Sequence, residues 1–267
     1  MKRVDIARRG YEERDLELSR QAHTPEAIRR DVRAAEERHQ QERGKYLSEA
    51  VYGASDGIVT TFAVVAGVTG AALSPVIVLV LGLANLLGDG FSMAAGAYLG
   101  ERSQQDYHRK ERERELWEIE HFPEGEVEEV REIYRAKGFQ GEDLERAVRV
   151  ITADKERWAE TMMREELNII PETKDPLKAG LTTLISFILA GAIPLSAYIL
   201  AGLFEPLRAH SFLAAVMLTS ASMFAVGAAR SLVIHKPWYR AGTEMLAVGG
   251  LAAFVAYMVG YLLRGIV

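Results

Sequence analysis

The sequence of 267 residues predicts an all-α membrane protein with five transmembrane helices and a cytosolic three-helix insertion between helices 2 and 3. Two observations predict it. First, 60 of the 69 Lys, Arg, Asp and Glu residues fall in residues 1–49 and 101–178. Second, the other 140 residues carry only nine charges and contain five apolar stretches. Each is long enough to cross a hydrocarbon core, which takes about 20 residues. The chain therefore divides into a charged N-terminal arm over 1–49, transmembrane helices 1 and 2 over 50–100, a Glu- and Met-rich insertion over 101–178, and transmembrane helices 3 to 5 over 179–267.

The arm holds 12 basic and 11 acidic residues. Thr24-Pro25-Glu26 reads as cap, first position and acidic second position of a helix running to about Gln41. The arm lacks an apolar stretch near its start, so no cleavable secretory signal is expected. The crossings are expected at 50–73, 76–99, 179–204, 211–234 and 241–263, with a tight turn at Leu73-Ser74-Pro75-Val76. Ser74 there suits an N-cap and Pro75 the first helical position. Glycines recur along the crossings, where small residues let helices approach closely in lipid.

Lys and Arg in short flanking segments favour the cytoplasmic side. The arm, the insertion and the loop from Arg230 to Arg240 all fall on one face of a five-crossing topology, so the N-terminus is expected in the cytoplasm and the C-terminus outside. Glu- and Arg-rich segments with short loops point to a prokaryotic plasma membrane.

With no cysteine, disulfides, iron–sulfur clusters and a cysteine nucleophile are excluded, and a metal site must use oxygen, nitrogen or thioether ligands. Asp56 and Asp89 lie inside crossings 1 and 2. An ionisable group there costs roughly 2.5–3.5 kcal/mol on insertion scales and usually faces a polar cavity or a partner. A shallow position as a helix cap or in contact with water is the alternative. Asn85, Asp89 and Met93 follow one another at i,i+4 and share a stripe of the second helix. Amide, carboxylate and thioether on one stripe suit the passage of a divalent cation.

The insertion reads as three helical pieces: Glu101 to about His121, Glu124 to Ala136 and Glu142 to about Asn168, broken at Pro123 and at Lys137-Gly138. Glu111, Glu115 and Glu118 share one face of the first piece, and Glu126 and Glu129 pair at i,i+3 after the break. Met162, Met163 and Glu166 fall within one turn of the third. A solvated, ion-paired surface is the plain reading of such helices. The Met pair in a charged stretch argues instead for carboxylate and thioether ligation of Fe(II), Mn(II) or Zn(II), since Ca(II) takes oxygen alone. Met at helical spacing also serves as ordinary core.

These residues resemble the vacuolar iron transporter family from Tyr46 to Leu263. The resemblance rests on Ser55-Asp56-Gly57, the run from Phe91 to Leu99, and the ordered set Glu115-x-x-Glu118, Pro123, Glu126-x-x-Glu129 and Met162-Met163-x-x-Glu166. It implies a homodimer that exports Fe(II), and often Mn(II) or related ions, from the cytosol in exchange for protons. It further implies that Glu115, Glu118, Glu126, Glu129, Glu166, Met162 and Met163 make the insertion a metal-binding domain, and that Asp56 and Met93 line the path at the dimer interface. Asn85 stands where relatives often have Glu, with Asp89 one turn later. The implied partners are lipid, protons and transported or regulatory Fe(II), Mn(II) or Zn(II), with no permanently bound cofactor.

Two rival readings come from other classes. A membrane-anchored di-iron ferroxidase would use Glu-x-x-His pairs, of which Glu36-x-x-His39 and Glu118-x-x-His121 are present. A metal sensor without transport would leave Asp56 and Asp89 without a use. The polar segments hold 27 basic against 33 acidic residues, the wrong sign for nucleic acid. No phosphate-binding Gly loop supports ATP-driven pumping.

Overall fold

The computed structural model describes residues 3–29, 45–170, 174–205, 210–234 and 237–266. The chain forms two compact units, residues 1–45 and 46–267. In the first, α1 (Arg3–Glu12) and α2 (Leu16–Ala22) pack together. Asp15 caps α2 by accepting hydrogen bonds from the Glu17 and Leu18 amides at 2.9 and 3.0 Å. The expected cap at Thr24 is present, its hydroxyl accepting from the Ala27 amide at 3.3 Å. The onward stretch to Gln41, with Glu36-x-x-His39, lies outside the described residues.

In the second unit, α3 (Leu47–Gly70) and the opening half of α4 (Pro75–His121) are the first two apolar helices. Then come α5 (Pro123–Ala136), α6 (Gly141–Thr152) and α7 (Lys155–Glu165). The remaining apolar helices are α8 (Pro176–Leu203), α9 (Ser211–Ile234) and α10 (Trp238–Leu263). Among the described residues, five helices are thus long and apolar enough to cross a membrane. They make this a multi-pass integral membrane protein, since such stretches bury in lipid while satisfying their own backbone hydrogen bonds.

Several expected boundaries shift. The second crossing and the first piece of the insertion are one helix of 47 residues, because nothing between Leu99 and Glu101 stops α-helical hydrogen bonding. The expected third piece is instead two helices. Asp154 breaks it by accepting from the Arg157 amide at 2.8 Å, which caps a new start. The insertion therefore consists of the distal half of α4 and three short helices. Pro75 opens α4 as expected, but the Ser74 hydroxyl makes no capping hydrogen bond. The preceding turn begins earlier, with Ala72 in the left-handed region at φ 56°. Pro176 begins α8, capped by Asp175.

In the bundle, α8 lies along both α3 and α4, and α10 along α3 and α9. Ile58, Val65, Phe187, Leu195 and Met223 are fully enclosed at the centre. Helix approach depends on glycine at several crossings, two of which lie on α3. A Cβ on Gly57 would overlap the Phe187 carbonyl of α8, and one on Gly260 would overlap the Gly67 carbonyl of α3. In lipid, where burial of apolar surface drives no association between helices, such close backbone contact supplies the packing energy. The insertion has its own core of Ile119, Val130, Leu144, Val148, Ile151, Trp158, Ala159 and Met162.

Gly260→Ala is expected to destabilise the detergent-solubilised protein by about 1–3 kcal/mol through overpacking. Gly250→Ala on the same helix, where a Cβ would meet nothing within 4 Å, is expected to be neutral. Thermal unfolding of the two variants checks the contrast.

Candidate metal centre

The break at Phe122-Pro123 creates the site. The Phe122 amide closes α4 on the Glu118 carbonyl at 2.7 Å, and the Glu126 amide donates to the Phe122 carbonyl at 3.2 Å as α5 begins. This reversal brings Glu126 back beside the last turns of α4. One carboxylate oxygen each of Glu115, Glu118 and Glu126 lies within 4.8 Å of the others. An octahedral ion with metal–oxygen bonds of roughly 2.1 Å holds cis oxygens about 3.0 Å apart and trans oxygens about 4.2 Å apart, so a bound ion would draw the three carboxylates closer together.

Glu115 and Glu126 are buried, with 1% and 6% of their surface exposed. Glu115 Oε2 and Glu126 Oε2 are enclosed without a hydrogen-bond partner. A buried carboxylate oxygen without a donor is costly, and a cation or a proton relieves the cost. Burial first, then the charge of Glu166, pushes Glu115 up to about 7. Burial first, then Glu129, pushes Glu126 up to about 7, and the same two causes raise Glu166. Thus Glu129 and Glu166 act on the group electrostatically, although its close triad is Glu115, Glu118 and Glu126.

The two Met residues divide. Met162 has no exposed surface and packs with Val130 and Trp158 in the core of the insertion, a sufficient reason for its presence. Met163 is also buried but is not a member of that core. His121 does not join the carboxylates. Its ring stacks on Trp117 with centroids 4.3 Å apart, and Nδ1 lies 2.8 Å from the Trp117 carbonyl. Among the described residues, then, Glu118-x-x-His121 forms no Glu/His ligand set.

A second set of expected residues lies about 39 Å away along α4, since 26 residues separate Asp89 from Glu115 at 1.5 Å each. Asp89 and Met93 line a cavity of about 510 Å³ with Ser48, Glu49, Tyr52, Ser92, Gly96, Ala97 and Thr183. Asp56 on α3 is half-buried and interacts electrostatically with Asp89. Asn85 is not among the residues lining the cavity, and its side-chain nitrogen is enclosed without a partner.

Glu49 was not expected here. Its only sequence signal is its place two helical turns before Asp56. Lys174 holds it at 2.5 Å and also donates to Ser48 at 3.2 Å, while Gln105 of α4 donates to the Lys174 carbonyl at 2.6 Å. These bonds tie the start of α3, the shaft of α4 and the approach to α8 together at one end of the bundle.

A multi-pass membrane protein carrying one buried carboxylate cluster outside its spans and a second acidic cavity within them belongs to the class that handles cations at a membrane. The chain is a member of the VIT family, whose family model matches residues 47–261. A vacuolar iron transporter of Toxoplasma gondii is 35% identical, over 98% of this chain and 88% of its own length. One of Plasmodium falciparum is 32% identical, over 98% and 97%. Vacuolar iron transporter 1 of Arabidopsis thaliana is 32% identical over 80% of this chain and 84% of its own.

The raised carboxyls fix the sign of a pH effect. A group lifted from 4.5 to about 7 by folding contributes stability that is complete below about 4.5 and is lost as pH rises through about 7. The metal-free protein is therefore expected to unfold at a lower temperature at about pH 8 than at about pH 5. Mn(II) should restore the difference at the higher pH and do little at the lower. Glu115→Gln with Glu126→Gln should flatten the profile, as read by thermal unfolding.

Proposed function

We propose that this chain exports Fe(II), and with it Mn(II) and related divalent ions, from the cytosol in exchange for protons, working as a homodimer. The observation that carries the reading is the pair of enclosed, donor-free oxygens on Glu115 and Glu126, on or beside a helix that continues into the bundle as far as Asp89 and Met93. The insertion gathers ions at the cytosolic face through Glu115, Glu118 and Glu126, with Glu129 and Glu166 adding negative charge and Met163 a thioether. The path then runs by Asp89 and Met93 to Asp56. The iron preference comes from the relatives named as vacuolar iron transporters.

Proton coupling follows from shared ligands. Carboxyls that titrate near neutrality must lose their protons to bind a divalent ion, so uptake releases protons and acid on the far side releases the metal. The homodimer is supported by the outer face of α4. Gly88, Ser92, Gly96 and Gly100 stand exposed at intervals of four residues, and a Cβ at any of the three glycines would meet nothing within 4 Å. A stripe of this kind suits close approach by a second helix in lipid. It borders the cavity that holds Asp89 and Met93.

The excess of Lys and Arg on one side supports a cytosolic N-terminus and insertion. The membrane is a prokaryotic plasma membrane on composition, or a vacuolar one by analogy with the named relatives, and either receives metal on its non-cytosolic side. His121 packed on Trp117 counts against the ferroxidase alternative, and Asp56 and Asp89 within the spans count against a sensor without transport.

The test is internal pH in sealed proteoliposomes under an imposed Fe(II) or Mn(II) gradient. Metal-driven proton flux is expected in the wild type. Asp56→Ala is expected to abolish it while Mn(II) binding at the insertion persists. Binding without movement of metal or protons would refute transport.

A further inference from the structure

Arg114 sits within the acidic group that the preceding section reads as an ion site. Its Nη2 donates to Glu115 Oε1 at 2.8 Å and its Nη1 to Glu118 Oε2 at 2.7 Å. Its Nε donates to Glu111 Oε2 at 3.1 Å. Two of these three carboxylates belong to the triad with Glu126. We propose that Arg114 is the resident counter-cation of this cluster, a guanidinium that an incoming divalent ion must displace, so that it lowers the affinity of the site and keeps bound metal exchangeable.

The inference rests on reading the triad as an ion site. Four observations lead from that reading to Arg114. The guanidinium occupies one oxygen of Glu115 and one of Glu118 while leaving Glu115 Oε2 and Glu126 Oε2 without donors. An ion therefore has two enclosed oxygens to enter by, and reaches full coordination by taking those that Arg114 holds. Next, guanidinium stays charged at every physiological pH, so it cannot lose a proton to make way; it must move. It is also free to move, since the Arg114 side chain is 42% exposed and the head can swing toward water without opening the core. Finally, Glu111 binds Nε from outside the triad and retains the side chain after displacement.

The chemistry has a direction. A cluster of Glu115, Glu118, Glu126, Glu129 and Glu166 without a resident cation would bind divalent metal tightly and release it slowly, which suits storage. With Arg114 competing for the same oxygens, every bound ion has a replacement at hand, and release leaves the carboxylates paired rather than bare. A purely organising Arg would act in the opposite sense, because its loss would scatter the carboxylates and weaken binding.

Full-length protein in detergent, titrated with Mn(II) at neutral pH and followed by the electron paramagnetic resonance signal of the free ion, separates these cases. Arg114→Gln is expected to bind Mn(II) roughly tenfold more tightly, the scale on which one neighbouring unit charge shifts a carboxylate equilibrium. It should also release the ion more slowly into excess chelator. Arg114→Lys, which keeps the charge but loses the fork, should fall between. A damaged fold does not produce tighter binding, so the gain itself is diagnostic. Equal or weaker binding by both variants, with wild type binding and Glu115→Gln impaired, would overturn the role of Arg114 and leave the ion site standing. Wild-type binding unchanged by Glu115→Gln would overturn the site and, with it, this inference.

Discussion

The uninterrupted hydrogen bonding of α4 is the constraint on which both acidic sites depend. A helix of 47 residues is about 70 Å long at 1.5 Å per residue, more than twice the thickness of a hydrocarbon core. The same rod therefore carries Asp89 and Met93 among the spans and Glu115 and Glu118 beyond them. Glycines at 88, 96 and 100 do not interrupt it. A hinge near Leu99 would let the insertion wander relative to the spans. Without one, its position is set by the bundle that grips the first half of α4 and by the bonds from Gln105 to Lys174 and from Lys174 to Glu49.

Bundle packing and the placement of charge are linked through α3. Its inner face meets α8 at Gly57 and α10 at Gly260, where backbone approaches backbone. The central ionisable group of α3, Asp56, is only half-buried and interacts with Asp89 on the neighbouring helix. On α4, Val76, Val80, Leu83, Leu87 and Phe91 are exposed on the isolated chain, a surface suited to lipid or to a second helix.

Much of this was legible in the sequence, and the exceptions have identifiable causes. The five crossings could be read because apolar length is a strong signal, and the break at Pro123 because proline lacks an amide donor. Helical spacing put Glu115 with Glu118 before that break and Glu126 with Glu129 after it, while their joining in one group was what the family resemblance implied. The continuity of α4 was missed because the change from apolar to charged residues at Glu101 looked like a boundary, whereas backbone hydrogen bonds are indifferent to it. The division at Asp154 was missed because a cap within a charged run has no contrast with its neighbours. Met162 carries two roles at once in its surroundings: a thioether in a charged stretch suits a ligand, and its burial with Val130 and Trp158 suits core, a packing that spacing alone does not reveal. Arg114 went unnoticed because an Arg in a Glu/Arg-rich helix is ordinarily a partner in a solvated ion pair. Only the fold shows that two of its partners belong to the group gathered at Glu126.

That burial changes what the acidic residues can do. On an exposed helix, Glu115 and Glu118 would sit in high dielectric, where water screens them and an adjacent Arg adds little. With Glu115 enclosed and Glu118 half-buried beside Glu126, and with Glu129 and Glu166 within electrostatic reach, they cannot all remain bare. Three kinds of positive charge are available to them: a proton, the guanidinium of Arg114 and a divalent ion. On the proposal made above, an arriving ion would replace the guanidinium and any protons held at these oxygens, and its departure would restore them. Affinity at such a site would be a difference between a metal-bound state and one held by the guanidinium and protons. On that proposal a change in pH or metal concentration would tip the balance between them, the behaviour that separates a site of passage from a site of storage.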